Sequence, residues 1–247
     1  MRRREPVEGQ EHARLGLAPH IYLCRDEDSI VLLDLRHDRY FSLEAAGTAA
    51  LTTLLPGWPA AAADERCDAD AARRVAAVLL RRGWLLEGHA AVKDATPARS
   101  SELRAELLKG VEEGAGAVTP TTLASCLIAG AVAGAMLRCW RLERIVRRIA
   151  ARKAGAAPVD GAFDLERARR LVATYARLRI FLFSQRRRCL RDSLALLEFL
   201  AWHGVYPDWV FGVRARPFAA HCWVQHDGIV FNDTLEHSRS FKTIMVI

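Results

Sequence analysis

The N-terminal third of the chain alternates short apolar runs with charged breaks. Residues 1–17 are polar and charged without any period, which predicts a loose arm. The apolar runs that follow are rich in β-branched and aromatic residues and indicate a meander of three strands, after which apolar steps of three and four indicate helices. The predicted elements are strands at 20–24, 29–35 and 39–43 and helices at 44–55 and 68–82. Together they predict a small α+β module over 18–88.

The rest of the chain predicts a linker and a second domain. Residues 89–116 are polar and glycine-rich, with a short weak helix at 101–110. The second domain, 117–247, begins with predicted helices at 121–153 and 164–183. A 20-residue uncharged run at 118–137 overlaps the first of them. Its Ala, Gly and Thr content favours a buried core helix, although its length also fits a membrane span.

Composition narrows the class of protein. The chain has 247 residues and a formal net charge of +7, and its scattered arginines are typical of a solvated surface and argue against a nucleic-acid partner. None of the six cysteines forms a CxxC pair, and the first ten residues lack the apolar core of a signal peptide, so we expect free thiols in a reducing cytoplasm. His203, His226, His237 and Cys222 match no tetrahedral spacing, so we expect no metal.

The segment RRRCLRDSLALLEFLAWHG, residues 186–204, places Cys189 after three arginines and at the start of a helical pattern that Gly204 ends. The first turn of a helix favours an anion. A thiol with a pKa of about 8.5 is only about 3% thiolate at neutral pH, and each unit of depression needs about 1.4 kcal/mol. The helix dipole supplies about 0.3–1 kcal/mol, so the pattern requires a nearby imidazolium.

The candidate histidine, His221, immediately precedes the segment CWVQHDGIVF, which predicts a β-hairpin. His221 lies 32 residues after Cys189, and Asp233 lies 12 residues after His221. A two-residue loop of Asp227 and Gly228 would leave Asp233 on the face opposite His221. A three-residue loop that begins at His226, with Gly228 left-handed, would place Asp233 directly across from His221. We therefore predict the three-residue loop.

These residues take distinct roles in acyl transfer through a thioester. Cys189 is the predicted nucleophile, His221 accepts and later returns the proton, and Asp233 orients the imidazole. The backbone N–H of Cys189 is the expected oxyanion donor, with the Gln185 side chain as a further candidate. The three arginines at 186–188 either form a charged surface patch or bind acidic groups of the substrate. Cys222 points away from His221 on a strand, which predicts a packing role.

The segments CLRDSLALLEFLAWHG, FGV, PFAAHCWVQHDG and NDT resemble the leader peptidases of lasso-peptide biosynthesis, which have a transglutaminase-like, papain-related fold. The triad of that family falls on Cys189, His221 and Asp233. The resemblance implies a peptidase that cuts a lasso precursor peptide between leader and core and works with an asparagine-synthetase-like macrolactam cyclase. Because this chain has no GxxxxGK[ST] motif, ATP would be the cofactor of that partner. Family members usually have a small residue where this chain has Cys222.

The segment IVLLDLRHDRYFSLE resembles the precursor-recognition element of peptide-modifying systems, a winged-helix-like module of three strands and helices. The proline-broken stretch 56–67 stands where that element has a middle helix. The resemblance implies that the leader adds as a strand beside the third strand, with specificity pockets between that strand and helix 69–82. The strand residues are Arg39, Tyr40, Phe41, Ser42 and Leu43. Arg73, Arg74 and Arg81 would meet acidic leader residues, or they form a solvated helix face.

Two other functions use the same features. A transamidase or another acyltransferase would form the same thioester and pass the acyl group to an amine. A precursor-binding adaptor would keep the N-terminal module and have an inactive triad. The residues alone do not separate these functions from a peptidase, because the triad chemistry is shared.

Overall fold

The computed structural model describes residues 15–55, 68–88, 93, 96–107, 118–156, 163–182 and 189–247. The strands are β1 (Leu15–Leu17), β2 (Ile21–Asp26), β3 (Ser29–Asp34), β4 (Arg39–Leu43), β5 (Leu85–Glu87), β6 (Ala105–Glu106), β7 (Asp208–Arg214), β8 (Ala219–His226), β9 (Ile229–Val230) and β10 (Lys242–Val246). The helices are α1 (Ala45–Leu54), α2 (Ala69–Arg81), α3 (Pro120–Cys139), α4 (Leu142–Gly155), α5 (Leu165–Leu182), α6 (Cys189–Trp202) and α7 (Leu235–Arg239). The predicted mixture of helices and strands is confirmed. The winged-helix assignment stays a prediction.

Two predicted helices differ from the structure. The helix predicted at 121–153 is interrupted at Trp140 and Arg141, whose backbones are extended. The helix predicted at 101–110 is wrong over its described part, where Ala105 and Glu106 form β6 and pair in parallel with β9. The reason is tertiary pairing: Arg104 N–H donates to the Gly228 carbonyl at 2.8 Å, and Leu107 N–H donates to Val230 at 2.7 Å.

Contacts divide the chain into two compact units. The first comprises Met1–Ile21 and Ala45–Thr96, and the second comprises Tyr22–Glu44 and Pro97–Ile247. The strand meander is thus grouped with the C-terminal part of the chain, whereas the predicted domains, 18–88 and 117–247, follow sequence order. The predicted boundaries stay a prediction.

The first unit is small. β1 pairs antiparallel with β5, and α1 packs on α2. Asp68 caps α2 by accepting the Asp70 N–H at 3.2 Å, and Gly83, with φ +65°, follows its C-terminus. That conformation suits glycine because it has no Cβ.

The second unit contains a three-stranded sheet, β2-β3-β4, and a five-stranded sheet, β10-β7-β8-β9-β6. One face of the smaller sheet, with Val31 and Leu33, belongs to the same hydrophobic core as α6 and the larger sheet. Among the described helices, α3 is long and apolar enough to cross a membrane by length and composition. It buries one face in that core, including Cys126, Ala129 and Ala133.

The predicted three-residue hairpin loop is wrong. β8 and β9 pair Gln225 with Val230 and His226 with Ile229, so the loop is only Asp227 and Gly228. Both have positive φ, 46° and 75°, which is the type I′ turn that matches the twist of a hairpin. A Cβ on Gly228 would lie 2.0 Å from the Glu102 carbonyl oxygen, so the turn also requires glycine for space.

Candidate active site

Cys189 is the first residue of α6 and is half-buried. Every side chain of α6 from Ser193 to Leu200 is buried, so this helix is fixed in the core of the second unit. The positive end of the helix dipole favours an anion at this position. The sequence-predicted nucleophile is therefore held at a rigid helix start.

His221 lies on β8, directly across from Gly212 of β7. A Cβ on Gly212 would lie 2.8 Å from both Phe241 and Trp223, so glycine leaves room for two rings that flank the imidazole. The His221 ring centroid is 5.9 Å from that of Trp223, nearly parallel to it, and 5.1 Å from that of Phe241. These contacts fix the plane of the imidazole.

Asp233 reaches His221 by a route that the strand pattern does not predict. The β8–β9 register, if continued, would place Thr234 across from His221. The regular pairing ends after Phe231, whose N–H donates to the Val224 carbonyl at 2.8 Å. The chain then bends, and Asp233 Oδ2 lies 2.6 Å from His221 Nε2. Since Nε2 faces Asp233, Nδ1 remains as the ring nitrogen for Cys189.

The Asp233 carboxylate is surrounded by donors. Oδ1 accepts the Thr234 N–H at 2.8 Å, and Oδ2 contacts His237 Nδ1 at 2.9 Å and accepts the Ser238 hydroxyl at 3.2 Å. Burial opposes the charged form, but the hydrogen bonds from His221 and His237 outweigh it and lower the pKa of Asp233 to about 2. Asp233 is thus an anion at any working pH.

Cys189 and His221 form a charged pair. A hydrogen bond from the Cys222 thiol is the largest influence on Cys189, and together with a hydrogen bond from His221 it outweighs burial and lowers the pKa of Cys189 to about 4. Burial disfavours the imidazolium, but hydrogen bonds to Asp233 and Cys189 raise the pKa of His221 to about 9. Between these values the pair is thiolate and imidazolium, the form in which a cysteine is nucleophilic.

A polar network holds α6 in register with the hairpin. Asn232 donates to Asp192 Oδ2 at 3.0 Å and to Ser193 Oγ at 3.1 Å, while its Oδ1 accepts the Val224 N–H at 2.8 Å. Ser193 Oγ in turn donates to the Cys222 carbonyl at 3.1 Å. Residues 192 and 193 stand one turn after the nucleophile, and Asn232 immediately precedes Asp233. The network therefore sets the distance between Cys189 and His221.

Sequence reasoning missed these positioning residues, and it read Cys222 incompletely. Cys222 is buried in the core, as predicted. Its thiol donates to Ser193 Oγ at 3.8 Å, and its thiol and backbone N–H also help to lower the pKa of Cys189. The only sequence signal for Asn232 was its place in the NDT segment.

The remaining predicted residues are not all described. Gln185 and residues 186–188 lie outside the described residues, as does 56–67. Arg39, Tyr40, Phe41, Ser42 and Leu43 form β4, which lies at one end of the three-stranded sheet and pairs with β3.

The three arginines predicted on helix 69–82 lie on α2, in the first unit. Arg73 pairs with Asp70 at 2.8 Å, Arg74 lies 3.9 Å from Asp68, and Arg81 is exposed in the last turn. Exposed pairs of this kind contribute little to stability, and they favour the solvated-face alternative for Arg73 and Arg74.

The histidines considered for a metal site are dispersed in the fold. His203 lies 3.4 Å from Ser125 Oγ, and His226 stacks on Phe163 at 3.6 Å between centroids. Ligand atoms of His221, Asp233 and His237 lie within 4.8 Å of one another. Hydrogen bonds already join these three groups, so their arrangement favours proton transfer.

Residues 133–246 match the model of the transglutaminase-like superfamily. The match includes Cys189, His221 and Asp233, and it supports a cysteine-protease-type domain in this part of the chain. No curated protein and no solved structure matches the chain significantly.

Proposed function

We propose that this protein is a cysteine peptidase that removes the leader from a lasso precursor peptide. The observation that carries the proposal is the chain of contacts from Cys189 through His221 to Asp233. The three residues come from α6, from β8 and from the bend after β9, so it is the tertiary fold that brings them together.

The geometry supports a two-step reaction. The Cys189 thiolate attacks the carbonyl carbon of the scissile peptide bond, and the His221 imidazolium gives its proton to the departing amine. A thioester remains on Cys189. His221, now neutral, takes a proton from water as the water attacks the thioester, and the leader leaves as a carboxylic acid. The backbone N–H of Cys189 is the proposed oxyanion donor.

The lasso assignment rests on the resemblance of the CLRDSLALLEFLAWHG, PFAAHCWVQHDG and NDT segments. In this proposal an asparagine-synthetase-like macrolactam cyclase is the partner, ATP serves that partner, and the reaction takes place in the cytoplasm. The terminal position of β4 in its sheet supports addition of the leader as a further strand, since main-chain hydrogen bonds at a sheet edge give affinity for an extended peptide.

Acyl transfer to an amine is the second candidate. The superfamily match favours it as much as hydrolysis, because a thioester reacts with either nucleophile. The acceptor is decided by which molecule reaches the thioester carbon.

The test is mass spectrometry of a synthetic precursor peptide, taken from a reading frame adjacent to that of this chain and incubated with the purified protein. A free leader acid supports the peptidase, and a new amide supports the transferase. Cys189→Ala should abolish either product while Cys139→Ala, at an exposed free cysteine of α3, leaves it unchanged. Product formation by Cys189→Ala would contradict the role of Cys189 as nucleophile, whereas a wild-type protein that binds the precursor and forms no product would leave only the adaptor function.

A further inference from the structure

An open groove of about 850 Å³ lies beside Cys189 in the second unit. The mechanism above uses only the sulfur at one end of it. We call this the Cys189 groove. Its lining includes Ala131, Gly134 and Arg138 of α3, Trp140 at the end of that helix, and Cys189 and Arg191 of α6.

The groove exists because α3 and α6 approach closely at a glycine. A Cβ on Gly134 would lie 3.2 Å from Nη2 of Arg191, so the guanidinium lies against the glycine backbone. Near the other end of the pair, Ser125 of α3 lies 3.4 Å from His203, just beyond α6. The helices therefore run antiparallel, and Cys189 lies level with the C-terminal part of α3.

The groove continues along α3 as a stripe of exposed side chains. Leu123, Leu127, Ala131 and Arg138 recur at steps of four and seven, which places them on one face of the helix. We call these four residues the α3 stripe. Leu123 and Leu127 are 41% and 48% exposed, an unusual exposure for two leucines on one helix face.

The length of the stripe fits an extended peptide. The helical rise of about 1.5 Å per residue separates Leu127 from Arg138 by about 16 Å. An extended chain covers about 3.3 Å per residue, so about five residues span that distance. A peptide whose scissile bond lies at Cys189 can therefore reach Leu127 without bending.

The charges of the groove favour an acidic peptide. Arg138 is exposed and makes no ion pair or hydrogen bond with any residue in the described part of the chain. Arg144 and Arg148 lie over the Trp140 ring, at 4.4 and 5.8 Å from its centroid. The lining also contains one carboxylate, that of Asp38, against the two guanidinium groups of Arg138 and Arg191. The local field attracts anions.

We propose that the Cys189 groove and the α3 stripe bind the substrate chain on one side of the cut, with an acidic side chain at Arg138 and an apolar side chain about five residues away at Leu127. This specificity rests on the proposed peptidase function, because it makes the occupant the substrate itself. The continuity of the stripe with the groove that contains the nucleophile is what selects this occupant.

The test measures binding, so it does not depend on turnover. Fluorescence anisotropy measures the affinity of full-length Cys189→Ala for labelled decapeptides that carry Glu and Leu five positions apart, in both orders. Each peptide has a matched twin, in which Gln replaces Glu. The Glu peptide of one order should bind about fivefold more tightly than its twin, as expected for one partly exposed ion pair. Arg138→Glu should remove or reverse this preference, and Arg138→Lys should keep it.

Two further variants locate the effect. Arg147→Glu is the matched control, because Arg147 is exposed on α4 beside Glu143 at 3.7 Å and does not line the groove. Leu127→Ser should weaken both peptides equally. Equal affinities for the Glu and Gln peptides in both orders, or an equal effect of Arg147→Glu, would overturn the inference. If the wild-type protein cuts its precursor but shows no preference for the Glu peptides, only this inference is wrong. If the protein binds the Glu peptides selectively but cuts no precursor, the proposed peptidase function is wrong.

Discussion

Cys189 and Cys222 are the same residue type and each influences the pKa of the other, yet their thiols titrate in opposite directions. The pKa of Cys189 is lowered to about 4, whereas burial and the neighbouring Cys189 raise the pKa of Cys222 well above its ordinary value. The first is half-exposed at a helix start, and the second is enclosed in the middle of β8. One sulfur therefore holds the charge, and the other holds the proton that stabilises it.

The contrast shows that a reactive cysteine is made by its neighbours. Residue type and sequence position favoured Cys189 only slightly, through the helix start. The imidazolium of His221, sustained by Asp233, and the thiol of Cys222 supply the rest. Each of these neighbours can be removed by substitution, and each removal should reduce the reactivity of Cys189 by a different amount.

The largest effect is expected from Asp233→Asn. The amide keeps the size of the side chain but not the charge that stabilises the imidazolium, so the pKa of His221 should fall and Cys189 should lose its charged partner. We expect kcat/KM for the precursor peptide to fall by about 10²- to 10⁴-fold. Asp227→Asn, at the exposed hairpin turn, is the control and should be close to wild type. A loss of less than about fivefold in Asp233→Asn would contradict the assigned role.

A second prediction concerns the pH profile of the wild-type protein. Cys189 has a lowered pKa of about 4 and is a thiolate above it, and His221 has a raised pKa of about 9 and is charged below it. kcat/KM should therefore rise through about pH 4 and fall through about pH 9, with both limbs belonging to the coupled pair.

Alkylation by iodoacetamide reads the thiolate directly. The alkylation rate at Cys189, followed by mass spectrometry, should be nearly constant between about pH 5 and pH 8. The alkylation rate of an ordinary thiol rises about tenfold per pH unit over this range. The flatness is a better criterion than the absolute rate, because a thiolate of low pKa is also a weaker nucleophile. A rise of about tenfold per unit at Cys189 over this range would show that the charged pair does not form.

The hairpin shows what sequence periodicity can and cannot predict. The strands, the Asp227–Gly228 turn signal and the helix that begins at Cys189 follow from local pattern, and the structure contains all of them. The pairing of His221 with Asp233 was expected for a different reason, a three-residue loop that keeps regular alternation. The actual loop has two residues, and Asp233 reaches His221 because the strand has already ended.

The parts that were not predicted are long-range and side-chain specific. Asn232 takes the place of a ladder partner by accepting the Val224 N–H, and its amide then ties the hairpin to Asp192 and Ser193. No period marks such a residue, since its role depends on elements some 40 positions apart. The same holds for β6, whose pairing with β9 overrides a weak helical pattern.

The smallest effect, and the closest test of the contrast, comes from two substitutions at Cys222. Cys222→Ala and Cys222→Ser both remove the sulfur, so they leave similar space in the core, but only serine keeps a donor for the Cys189 thiolate. One hydrogen bond to a charged group contributes about 1.5–3 kcal/mol, and each pKa unit corresponds to about 1.4 kcal/mol. The acid limb of the alkylation profile should move up by about one unit or more in the alanine variant and stay near its wild-type position in the serine variant.

At pH 7 the rate of Cys222→Ala should change little, because Cys189 remains mostly a thiolate there; the difference lies near pH 5. The serine variant controls for repacking, since a change caused by lost volume would affect both proteins alike. Equal limbs in the two variants would mean that Cys222 only packs, which is the role that strand alternation assigned to it. If the acid limb lies at higher pH in the alanine variant alone, the buried thiol of Cys222 is the group that keeps Cys189 charged.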